Sequence, residues 1–148
     1  MNTTNRCSTK INDQAATLDR KILLSTLWIF AMFNYLYCDV AQGMDANFLK
    51  QYISGTVNGM QFTEATLLVA GILMEIPIMM VLLSRMLKYK PNRWVNSIAG
   101  TIMTIIQTVT LFAAKPTLYY AFFSIIEIAS TALVVWFAAR WRNPEVLS

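Results

Sequence analysis

The stretch GILMEIPIMMVLLSR, Gly71 to Arg85, sets a carboxylate and then a proline inside an otherwise apolar run. Up to Ser84 it belongs to one of four long apolar segments: Ile22 to Cys38, Ala65 to Ser84, Trp94 to Ala114 and Pro116 to Ala139. A helix crossing a hydrocarbon core needs roughly 20 mainly apolar residues, range about 17 to 25, so each segment is long enough. Lipid offers the backbone no hydrogen bonds, which makes the spans helices. The whole-chain figures agree. With 148 residues, 56% hydrophobic and 14% charged, and a mean hydropathy of +0.47, the chain has more apolar surface than an ordinary soluble domain hides.

Charge placement supplies an orientation. The net charge is +4, and the basic residues sort by side in a four-span arrangement. Arg6, Lys10, Arg20 and Lys21 precede the first span, Arg85, Lys88, Lys90 and Arg93 join the second and third, and Arg140 and Arg142 follow the fourth. Only Lys50 and Lys115 fall on the other side. The positive-inside rule then puts both termini in the cytoplasm. The expected fold is an all-α integral membrane four-helix bundle, up-down-up-down. Its parts are a polar cytoplasmic tail at 1–21, spans at about 22–44, 64–87, 94–114 and 116–139 within a domain at 22–140, and a short cytoplasmic tail at 141–148. The first apolar run begins only after about 20 polar residues, so the first span is expected to stay as an anchor and not to be cleaved.

Several function classes recede. No module of interleaved aromatic and basic residues is visible, which argues against nucleic acid. The chain has no histidine, and its two cysteines, Cys7 and Cys38, lie on opposite sides with no CxxC pair. His-ligated haem, most zinc sites, His-based acid–base catalysis and thiol redox chemistry are therefore set aside, and no cofactor, metal ligand or catalytic residue is assigned. The nine methionines read as packing.

The connections carry their own signals. Asp45 can cap a short amphipathic piece holding Phe48, Leu49, Tyr52 and Ile53, with Gly55 and Gly59 ending it. Such a piece would lie along the outer interface or cover the mouth of the bundle. RMLKYKPNRW, Arg85 to Trp94, is expected to end one helix before Pro91 and begin the next near Trp94. Lys115 and Pro116 make a tight turn, with Pro116 in the first turn of the fourth span.

Each span also holds one strongly polar residue deep in its apolar run. Asn34 is 13 residues after Lys21, Glu75 is 13 before Lys88, Gln107 is 14 after Arg93, and Glu127 is 13 before Arg140. Each is thus about 20 Å from its basic anchor, which predicts a shared interior layer. Helical spacing gives the inward faces: Tyr120, Ser124, Glu127 and Thr131 on the fourth span, Asn96, Gly100, Thr104 and Gln107 on the third. On the second span, Gly71 leaves room one turn from Glu75, and Pro77 frees the carbonyl of Leu73. Glu75 and Glu127 have no basic residue at their depth, so they are expected to be protonated donors, or to share a proton or a bound cation. Glu75, Glu127, Gln107 and Asn34 are the candidate proton or solute ligands. Asp39, with Tyr35, Tyr119 and Tyr120, is the candidate outer entrance, with an interfacial aromatic belt as the plainer reading.

The segments STLWIFAMFNYLYCDV, GILMEIPIMMVLLSRMLKYKPNRW and PTLYYAFFSIIEIAS resemble a family of small bacterial membrane proteins of unknown function, over most of Ser25 to Trp141. The resemblance implies four transmembrane helices in a bacterial cytoplasmic membrane. In size and helix number the chain is also distantly similar to the DoxX-like group, a fold-level analogy that transfers no site residue. Three functions then compete. The first is a proton- or cation-coupled carrier or permeation protein for a small apolar or cationic solute. The second is an accessory protein that holds a lipid, quinone or partner helix without transport. Last comes a lipid-modifying enzyme. The lipid bilayer is the expected partner, with a small hydrophobic or cationic ligand and a second copy of the chain as further candidates.

Overall fold

The computed structural model describes residues 3–57, 59–113 and 116–141. Five helices account for most of them: α1 (Thr3–Met44), α2 (Ala46–Ile53), α3 (Glu64–Met86), α4 (Tyr89–Ala113) and α5 (Leu118–Ala139). Two-residue strands β1 (Thr56–Val57) and β2 (Met60–Gln61) form an antiparallel pair between α2 and α3. Four helices are long and apolar enough to cross a membrane: Ala15–Met44 within α1, and α3, α4 and α5 entire. Large apolar side chains stand outward on all four, among them Phe33, Leu68, Ile105 and Phe122.

The helix ends differ from the sequence expectation in three places. α1 runs back through the polar tail to Thr3, so the segment before the first span is helical and continuous with it. α4 begins at Tyr89 and takes in Pro91, leaving Leu87 and Lys88 as the whole connection from α3. Proline suits the first turn of a helix, where its missing N–H would have had no intrahelical acceptor. Pro116 lies outside α5, one residue before the N-cap Thr117, and Lys115 is outside the described residues.

Short-range chemistry explains the segment between α1 and α3. The Asp45 side chain accepts from the Asn47 N–H at 2.9 Å, capping α2 as its position predicts. Gly55 (φ 74°) and Gly59 (φ 82°) supply the left-handed residues that end α2 and turn the hairpin. Thr63 and Thr66 then form a reciprocal capping box at the start of α3.

α5 packs on both α1 and α4, and α1 also packs on α3, while α3 meets α4 over a smaller contact. Small residues make the close approaches possible. A Cβ at Gly100 would stand 2.8 Å from Val135 Cγ2 and 3.2 Å from the Thr131 carbonyl oxygen, so α4 and α5 nearly touch there. Leu24, Trp28 and Ala31 of α1, Met80 of α3, Ala99 and Met103 of α4, and Val134 and Ala138 of α5 form the buried apolar core.

Candidate functional site

The buried polar residues fall into two groups. One lies where the basic residues gather: Lys21 Nζ donates to the Arg85 carbonyl at 3.5 Å, Arg85 Nε to Ser25 Oγ at 3.1 Å, and Tyr89 Oη to the Trp141 carbonyl at 2.7 Å. Inside this end the Asn96 side-chain oxygen accepts from Trp28 Nε1 at 2.8 Å and Ser84 Oγ at 3.0 Å. Asn96 Nδ2 donates to the Asn92 side-chain and main-chain oxygens at 2.6 and 2.9 Å. Asn92 Nδ2 donates to the carbonyls of Ser84 at 2.6 Å and Leu87 at 3.3 Å. Both amide groups use both of their donors. This cluster ties α1, α3 and α4 together.

The second group surrounds Glu127, whose side chain is 0% exposed. Gln107 Nε2 donates to Ser124 Oγ at 2.9 Å, one turn before Glu127 on α5. One turn after it, the hydroxyls of Thr104 and Thr131 are 2.8 Å apart. Ser130 and Thr131 donate to the Glu127 main-chain carbonyl, each at 2.9 Å. The neighbours are thus bonded, but neither oxygen of the Glu127 carboxyl has a hydrogen-bond partner among the described residues. The hydroxyl of Tyr35, 5% exposed on α1, also has none. Tyr35 and Cys38 are within electrostatic range of Glu127. A carboxyl and a phenol therefore share an interior with open hydrogen-bonding capacity.

Of the residues predicted to share one layer, Gln107 and Glu127 are both buried, on helices joined by the Gln107–Ser124 bond. Asn34 is half-buried and donates to the Phe30 carbonyl of its own helix at 2.9 Å, so it does not join them. Glu75 is exposed. The inward face of α3 carries Pro77, Met80 and Ser84, and Glu75 is two residues from Pro77, about 200° around the helix. The predicted inward orientation of Glu75 is corrected accordingly. The spacing-based faces fare better: Asn96, Gly100 and Gln107 are buried on α4, as are Ser124, Glu127 and Thr131 on α5, with Thr104 and Tyr120 half-buried.

The expected entrance is also redistributed. Tyr35 belongs to the interior, while Asp39 is exposed. Tyr119 Oη donates to Asp45 Oδ2 at 3.3 Å, fastening the α2 cap to α5. Tyr52 of α2 stacks edge-on with Phe62 at 5.3 Å, and its hydroxyl is pushed above its ordinary pKa by burial first and then by the nearby Asp39 carboxylate. This end therefore gathers Asp39, Asp45, Tyr52 and Tyr119. Among the described residues no three His, Cys, Asp or Glu side chains come together in a way that could hold a metal ion.

Sequence reasoning missed the Asn92 half of the first cluster, because Asn92 fell in the stretch read as a loop. The signal was Asn92 and Asn96 four apart, on one face once Pro91 is placed in the first turn. A family model, family of unknown function (DUF6326), matches residues 11–148. The chain belongs to that family. No curated protein and no solved structure matches it. DUF6326 membership thus covers the two polar groups together and brings no activity with it.

Proposed function

We propose that this DUF6326 protein is a four-span bundle of a bacterial cytoplasmic membrane, up-down-up-down with both termini cytoplasmic, working as a proton- or cation-coupled carrier or permeation protein. Its solute is small and apolar or cationic, and Glu127 is the group that exchanges its partner. The clustering of Lys21, Arg85 and Tyr89 with Trp141 at one end supports the orientation, since that end carries the basic residues. Arg140 over the Trp136 ring at 3.8 Å suits a headgroup level.

The observation that carries the reading is the fully buried Glu127 carboxyl, which has no hydrogen-bond partner among the described residues, as the buried Tyr35 hydroxyl within its electrostatic range also has none. Ionised and alone, the carboxylate would be costly; protonated, its O–H still lacks an acceptor. The ionised state gains when a cation or a ligand N–H arrives, and the protonated state when a hydrogen-bond acceptor does. A packing residue is selected for the opposite property, a partner already in place. The accessory reading uses the same open bonds, filled by a held ligand and not by a passing one. An enzyme reading loses its acid–base pair, because Glu75 is exposed and Glu127 is buried.

The test is a hydrophobic carbodiimide applied to membranes and mapped by mass spectrometry, paired with proteoliposome flux of tetraphenylphosphonium as a lipophilic cation probe. Glu127 is expected to be modified, and Glu127→Gln to abolish flux while helix content stays unchanged. Modification with no flux favours the holding role. An unreactive Glu127, with flux unchanged in Glu127→Gln, overturns the assignment.

A further inference from the structure

Glu75 stands at the midpoint of α3, about 16 Å from either helix end at 1.5 Å per residue, too far for its side chain to reach either interface. It is exposed and makes no hydrogen bond among the described residues. Around it, Ala65, Leu68, Ile72, Glu75, Met79, Leu82 and Met86 recur in alternating steps of three and four, and all seven are exposed. That spacing averages 3.5 residues, the period of a left-handed helix pair. The buried residues Pro77, Met80 and Ser84 take the opposite face. Gly71 flanks the stripe with nothing within 4 Å of where a Cβ would be, leaving room for a second backbone.

We infer that this outer face of α3 is the interface with a second copy of the chain, crossing so that the two Glu75 carboxyls hydrogen-bond to each other. Lipid tails offer a carboxyl neither donor nor acceptor. A protonated carboxyl has one of each, and so is complementary to its own image across a twofold axis. Two copies inserted in the same direction place Glu75 opposite Glu75 at one depth automatically, whereas any other partner would need a matching polar group at that height. One polar residue in a heptad stripe also sets register and stoichiometry. The inference rests on the membrane placement above and is independent of any role for Glu127.

Disulfide cross-linking in native membranes tests it, in a Cys7→Ser, Cys38→Ala background. Ile72→Cys, Met79→Cys and Leu82→Cys should give a covalent dimer, and the equally outward Ile105→Cys on α4 and Ile125→Cys on α5 should not. Dimer at the control positions, a cross-link to a different protein, or no dimer at α3 thiols that a permeant maleimide labels would each overturn it. Energy transfer between donor- and acceptor-labelled copies in liposomes then isolates the carboxyl. Glu75→Gln, which keeps a donor and an acceptor, should pair like the parent, while Glu75→Leu should weaken pairing about tenfold. Leucine pairing as tightly as glutamate would remove Glu75 from the interface.

Discussion

Around Asn92 and Asn96 every side-chain amide donor meets an acceptor; around Glu127 the neighbours are bonded, and the carboxyl has no partner among the described residues. Both groups are buried and both sit between helices, so burial alone does not separate structure from site. Satisfaction does. A closed cluster is already at its best and resists change, whereas an open one improves when something enters it.

The comparison can be broken by stability measurements in detergent micelles, following helix content through denaturant unfolding. Asn96→Ala should have the largest effect, a loss of about 3 kcal/mol, because it strands the Trp28 N–H, the Ser84 hydroxyl and the Asn92 side-chain oxygen together. Gly100→Val should follow at about 2 kcal/mol, since its side chain would collide with Val135 and the Thr131 carbonyl and push α4 off α5. Glu127→Leu should have the opposite sign, a gain of about 1 kcal/mol, by removing a buried polar group that has no partner among the described residues. A gain in stability with a loss of flux would sharpen the contrast; a loss as large as that of Asn96→Ala would mean that the Glu127 carboxyl is bonded after all. Tyr35→Phe should change stability by less than about 0.5 kcal/mol, its hydroxyl having no hydrogen-bond partner among the described residues, so its effect should appear in ligand or flux measurements alone.

Much of this was legible in the residues. The four long apolar helices follow from segment length and hydropathy, and the inward faces of α4 and α5 from steps of three and four. Asp45 as a cap and Gly55 as a stop follow from local backbone chemistry. The hairpin at Thr56 to Gln61 was not legible, because strands of two residues are too short to alternate. Asn92 was hidden by Pro91, which marks a helix start as readily as a helix stop. Tyr35 reads from the sequence as an entrance or belt residue because aromatics near a span end so often are; its burial, within electrostatic range of Glu127 and Tyr120 of α5, makes it an interior one.

Glu75 and Glu127 show where the boundary falls. Counting along the chain predicts that both carboxyls lie at similar height in apolar helices, since rise per residue is a property of the backbone. Rotation about the helix axis is not. Whether a carboxyl at that height faces its own protein, a second copy or lipid depends on which stripe the other helices cover, and on α3 they cover Pro77, Met80 and Ser84. Whether it then finds a partner depends on side chains placed within a few ångströms by segments far apart in sequence. Trp28 and Asn96, 68 residues apart, do meet. The Glu127 carboxyl and the Tyr35 hydroxyl are both buried and left without a hydrogen-bond partner among the described residues, an outcome that only the packing of α1, α4 and α5 decided.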